Sequence, residues 1–200
     1  MNTMDAKTYA AVAEVCRRLA GRLSDDVLGT VRENYAAGEF DLGDDALLLN
    51  LAYQGVGITI EEQTLMRTFL GDPDGPDLAD VPVIAEVPPP SYRFSPGGPG
   101  NAPDPALADA LLSAEAPAWR GRSLHRSWRA PLDGAPDAGA WTYVLRVAEG
   151  TDELAAFSGV TSRLWVSLKQ KWPVEVIAED SARGPYQAAA LAAAYPVWHA

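Results

Sequence analysis

The chain has one cysteine and two histidines in 200 residues, and no apolar stretch near the length of a bilayer span. A lone Cys16 excludes an internal disulfide framework. His125 and His199 stand outside any H-E-x-x-H spacing and far from a cysteine pair, so an ordinary zinc site runs short of ligands. The longest apolar run, Ala188 to Tyr195, is far below the roughly 20 residues that cross a membrane. The start, MNTMDAKTYAAVAEV, shows no basic region followed by an apolar one. A cytoplasmic protein is expected, with neither leader nor span. No serine sits in G-x-S-x-G, and Cys16 has no histidine near it in sequence. No catalytic residue, metal or cofactor is therefore assigned, and a non-enzymatic role is favoured.

Positive charge is also scarce. Lys and Arg number 16 against 27 Asp and Glu, a formal net charge of -11. That balance opposes non-specific attraction to nucleic acid or anionic lipid and favours a basic partner, with solubility as the plain alternative. The imbalance is local: residues 1–80 hold 15 acids against 6 bases, and the remainder is nearly even. The acidic surface belongs to the N-terminal part.

What is present divides into three segments. Residues 1–72 read as a four-helix bundle. The first helix, from about Met4 to Leu23, buries Tyr9, Val12, Ala13, Cys16 and Leu19 and exposes Lys7, Glu14, Arg17 and Arg18. Ser24 caps a second helix whose stripe is Val27, Leu28, Val31 and Tyr35, and Gly38 stops it. A third runs from about Asp41 to Tyr53 through Leu47, Leu48 and Leu51. Thr59 with Glu62 fits a capping box opening a fourth, with Leu65, Met66, Phe69 and Leu70 inward.

Residues 73–118 form a Pro/Gly-rich connector, in which VPVIAEV (Val81 to Val87) alternates like a strand and Asp104 to Ala114 reads as a short helix. Residues 119–200 read as a small α/β layer with a short sheet: WTYVLRV and PVEVIAE as strands, Asp152 to Lys171 and Gly184 to Ala194 as helices, and Pro196 to His199 as an edge. The run Arg163 to Lys169 fits either period. The fold class is α+β.

Several motifs are decoys. GGPG at Gly97 to Gly100 lacks the lysine and helix of a phosphate loop. GDPDGPD has Pro76 and Val83 where a calcium loop starting at Asp72 needs oxygen ligands. The adjacent acids Asp25/Asp26, Asp44/Asp45 and Glu61/Glu62 point about 100° apart on a helix, so they are not acid/base pairs. With Glu39 and Asp41 they offer a negative face. One basic and aromatic cluster exists, WRGRSLHRSWR at Trp119 to Arg129. As a helix it aligns Leu124 with Trp128 and leaves Arg122, Arg126 and Arg129 mostly exposed, able to hold an anion; the alternative is that these arginines pair with the chain's own acids.

The stretch LSDDVLGTVRENYAAGEFDLGDDALLLNLAYQGVGITIEEQTLMRTFL resembles the small helical immunity proteins of bacterial polymorphic-toxin and contact-dependent growth-inhibition systems. The likeness lies in a helix ending in a tyrosine and Gly38-Glu39, a helix with Leu48 and Leu51, and Ile58-Thr59 opening a Glu61-Glu62 helix with Leu65. It covers about the first third of the chain. It implies a cytoplasmic protein that occludes a cognate toxin and does no chemistry. On that reading Asp41, Asp44, Asp45, Glu61 and Glu62 steer a basic toxin domain, and the anchoring residues stay unassigned. Two other readings stand beside it: an anionic-ligand protein or enzyme using Arg122, Arg126, Arg129 and Trp128, and a structural or regulatory adaptor.

Overall fold

The computed structural model describes residues 5–200. Four helices come first: α1 (Ala6–Leu19), α2 (Asp25–Ala37), α3 (Phe40–Tyr53) and α4 (Ile60–Met66). Each boundary has a local cause. The Asp5 carboxylate accepts from the Thr8 amide at 2.9 Å to start α1, and the Ser24 hydroxyl accepts from Val27 to start α2. Gly38, at φ 80°, ends α2 in the left-handed conformation that a side chain disfavours. Thr59 and Glu62 complete the expected capping box, with Thr59 N donating to Glu62 Oε2 at 2.9 Å and Glu62 N to Thr59 Oγ1 at 3.2 Å. The expected first residue of α1, Met4, lies outside the described residues.

The rest alternates: α5 (Pro76–Ala79), β1 (Tyr92–Ser95), α6 (Ala106–Glu115), a 3-10 turn (Ala116–Trp119), β2 (Gly121–Pro131), β3 (Ala140–Val147), α7 (Glu153–Leu168), β4 (Val174–Ala178), α8 (Pro185–Ala192) and β5 (Tyr195–His199). The strands form one mixed five-stranded sheet. β2 is antiparallel to β3, and its other edge is shared: β5 pairs with Ser123 to Arg126, and β1 with Trp128 to Pro131. β3 and β4 are parallel, joined across α7. One face of the sheet carries Leu124, Tyr143, Leu145 and Val176 against Leu112 of α6 and Phe157, Val160 and Leu164 of α7. The other places Val144 and Ile177 under Ala190 of α8.

Two expectations of secondary structure change. Trp119 to Arg129 is not helical but belongs largely to the longest strand. Its residues alternate, Leu124, Arg126 and Trp128 on one face and Ser123, His125, Ser127 and Arg129 on the other, so period two fits once the arginines are allowed inside. Val81 to Val87 is not a strand. A single bridge joins Val83 to Ile58, and Pro82, which has no amide to donate, contributes only its carbonyl, accepting from Ile58 at 2.8 Å. The ambiguous Arg163 to Lys169 is the end of α7, with Lys169 at φ 55° just past it.

The N-terminal helices and the sheet share a buried interface. Val12, Cys16, Leu19, Leu28 and Val31 pack in one cluster with Leu154 of α7 and Tyr186 of α8. Charged groups cross the same seam. Arg17 was expected on the exposed face of α1 but is 5% exposed and bonded to Glu153. Arg32 reaches both oxygens of Glu175 at 2.9 and 3.0 Å, and Gln187 donates to Glu175 at 2.8 Å. Cys16 is fully buried beside this pair, and loss of solvation pushes its thiol up to about 11, as expected of an inert packing residue.

Candidate functional site

The five acids singled out in the sequence do not share one surface. Glu62 is fully buried: besides its cap it accepts from Arg22 Nη1 at 2.6 Å, and Arg22 also bonds the Gly57 carbonyl. It therefore holds α4 against the end of α1 and cannot meet a partner. Asp44 is half-buried and structural, taking the Tyr35 hydroxyl and, at 2.9 Å, the Gly71 amide. Burial raises its carboxyl above the ordinary range, against the pull of those two donors. Gly43 permits this arrangement, since a Cβ there would lie 2.6 Å from the Tyr35 ring. Glu61 is exposed on α4, in the field of Arg18 on α1. Asp41 and Asp45 remain exposed on α3, in the field of Asp44, with Glu39 just before them.

Helix α3 is apolar on two sides. Leu47 and Leu51 are fully buried against α2. On the opposite side Leu42, Leu49 and Tyr53 are 54%, 63% and 92% exposed. At about 100° per residue these three fall within roughly 40° of arc, and Asp45 and Asp41 lie along one flank of them. Glu39, Asp41 and Asp45 enter no salt bridge among the described residues. A ridge of large apolar side chains with uncompensated negative charge beside it is the composition of a protein-binding surface. The signal was in the sequence, as Leu42, Leu49 and Tyr53 spaced by seven and four, but the inward leucines of the same helix masked it.

The arginine cluster disperses. Arg126 bonds Asp109 of α6 and its guanidinium lies 4.6 Å from the Trp141 ring centroid. Arg129, 2% exposed on the other face, bonds Asp25 at 2.9 and 2.5 Å and stacks over Tyr92 at 4.8 Å. Arg122 is exposed, 3.6 Å from Glu179. Trp128 packs edge-on against Trp141, ring centroids 5.4 Å apart. The pairing alternative is what the arginines adopt, and Arg122, Arg126, Arg129 and Trp128 do not converge.

A groove of about 710 Å³ runs between α2 and α7, over Phe157, Trp165 and Trp172. Its charges are largely satisfied from within. Lys171 meets Asp26 at 2.6 Å across the mouth, and Arg129 lies between Asp25 and, at 3.6 Å, Asp137. Burial, and then the neighbouring Asp25 carboxylate, raise the Asp137 carboxyl above its usual range. The α3 ridge, whose acids are unpaired, is the stronger candidate. Among the described residues no group of three or more His, Cys, Asp or Glu is arranged to hold a metal ion, and no helix is long and apolar enough to cross a membrane. No protein-family model matches the chain, and neither the curated proteins nor the solved structures supply a match.

Proposed function

We propose that this chain is a non-enzymatic, cytoplasmic protein-binding module of the immunity type, which neutralises a basic toxin domain by covering it. The observation that carries the reading is the exposed Leu42, Leu49 and Tyr53 ridge flanked by unpaired Glu39, Asp41 and Asp45. α1 to α4 act as the bundle-like unit that presents it. The division of labour follows from physics. Acids at the rim steer a cationic partner and set the association rate, while desolvated aromatic and aliphatic anchors set the lifetime of the complex. Tyr53 is the central anchor, since tyrosine covers a large area at low entropic cost.

The test is co-expression with a basic toxin domain, chosen from the C-terminal end of a large secreted protein if the genes adjoining this chain's encode one. The wild-type chain restores growth. Leu49→Ala and Tyr53→Ala each weaken binding by about tenfold or more, equivalent to about 1.4 kcal/mol, and Asp41→Lys with Asp45→Lys slows association at low salt but not at high salt. Rescue that is absent, or unchanged by all four substitutions, rejects the proposal.

A further inference from the structure

The register of β2 gathers three side chains, His125, His199 and Arg146, that lie away from the α3 ridge. Ser123 lies opposite His199 of β5 on one side and Arg146 of β3 on the other, and His125 follows two residues along. Cross-strand partners and residues two apart share a face, so His199, Arg146 and His125 stand together on the face that α8 covers further along. The imidazoles of His125 and His199 meet edge to face with centroids 5.7 Å apart. Arg183, in the segment joining β4 to α8, lies near enough for its charge to act on His125. Burial, and then the neighbouring His199, Arg146 and Arg183, hold the His125 imidazole below its usual range, and no carboxylate acts on it in the opposite sense. His125 Nδ1 is enclosed and has no hydrogen-bond partner.

Most arginines of the chain are neutralised locally, and among the described residues Arg93, Arg120, Arg146 and Arg183 are the ones that are not; of these, Arg146 and Arg183 both act on His125. Arg17, Arg18, Arg22, Arg32, Arg67, Arg122, Arg126, Arg129 and Arg163 each meet a carboxylate. Arg146 and Arg183 enter no salt bridge among the described residues, in a chain with 11 more negative than positive charges. Like charges held together without a counter-charge repel, and an anion relieves that repulsion. Two guanidinium forks with imidazole donors beside them match the several acceptor oxygens of a tetrahedral oxyanion.

We propose that this corner of the sheet is a binding site for a phosphoryl dianion, gripped by Arg146 and Arg183 with His125 and His199 alongside. The dianion is either free phosphate or the phosphoryl group of a small phosphomonoester. It is a different site from the dispersed Arg122, Arg126 and Arg129, and it is independent of the α3 ridge.

The experiment is a titration of the whole chain, following the resonances of its two histidines by NMR, with inorganic phosphate, glycerol 3-phosphate and sulfate in separate arms. Saturable shifts of both imidazoles are expected, with Arg146→Gln and Arg183→Gln each weakening binding by about tenfold. Tighter binding of glycerol 3-phosphate than of phosphate identifies a phosphomonoester as the ligand; the reverse identifies the free ion. Sulfate keeps its charge across neutral pH, so its tighter binding at about pH 6 than at about pH 8 reports imidazole protonation. A wild-type chain whose histidines show no saturable shift with any of the three, or variants that bind as well as wild type, would overturn the assignment.

Discussion

The seam that joins α1/α2 to α7 and β4, and the outer side of α3, treat charge in opposite ways. At the seam Arg17, Arg32, Glu153 and Glu175 are all nearly enclosed and matched one to one, with Gln187 donating to the same Glu175 oxygen that Arg32 holds at 2.9 Å. On α3, Asp41 and Asp45 face solvent beside Leu42, Leu49 and Tyr53 with no counter-charge. Paired buried charge specifies how the helices dock on the sheet, because any other register leaves an ion stranded at a cost of several kcal/mol. Unpaired exposed charge contributes nothing to docking and is free to act on another molecule. The two regions are therefore separable by mutation, one moving stability and the other moving binding.

The largest effect is expected at the seam. Arg32→Ala leaves Glu175 buried without its counter-ion and should cost about 3–5 kcal/mol in chemical denaturation. Arg32→Met with Glu175→Leu removes both charges and should recover most of that loss. The deficit has a pH signature. Burial sets the Glu175 carboxyl above its ordinary value even with Arg32 present, and removing Arg32 raises it further. A carboxyl whose folded value exceeds its unfolded one destabilises the fold at high pH, and the penalty fades as pH falls through the folded value towards the unfolded one. Relative to wild type, Arg32→Ala should therefore lose less at about pH 5 than at about pH 8. A deficit that stays constant over that range excludes ionised Glu175 as its source.

A smaller effect separates two adjacent acids. Asp44→Ala strips the Tyr35 hydroxyl, on a fully buried residue, and the Gly71 amide of their acceptor, for an expected cost of about 1–3 kcal/mol. Asp45→Ala removes an exposed carboxylate with no partner and should change stability by less than about 0.5 kcal/mol. Equal thermal melting of the two variants would erase the distinction drawn between them.

Sequence alone could not separate Asp44 from Asp45, and the reason is general. What it carried well was local. Ser24, Gly38 and the Thr59/Glu62 box placed helix ends because caps act over three or four residues, and the β-branched and aromatic run WTYVLRV read as the strand it forms. What it carried poorly needed partners far along the chain. Arg17 and Glu153 are 136 residues apart, and Arg32 and Glu175 are 143 apart, so Arg17 read as solvent-facing. Trp119 to Arg129 failed for the same reason: arginines at 126 and 129 look exposed until Asp109 and Asp25 arrive from elsewhere to neutralise them. β1 escaped notice because four residues between prolines carry too little pattern, and its pairing is supplied by β2. In the candidate site the acids were visible one by one, but their sorting into cap, brace and free surface required the packed helices.

The smallest stability effect belongs to the ridge itself, and it is the sharpest test of the contrast. Leu49→Ser and Tyr53→Ser exchange large apolar side chains for a small polar one at positions 63% and 92% exposed. If these side chains rest on nothing within the chain, the midpoint of denaturation should move by less than about 0.5 kcal/mol, in either direction. Both variants lessen the exposed apolar area, so their solubility should rise or hold. A loss above about 2 kcal/mol, the scale of a buried leucine, would mean that Leu49 or Tyr53 supports the fold. The ridge would then belong with Leu47 and Leu51 as core, and the contrast between seam and surface would lose its outer half.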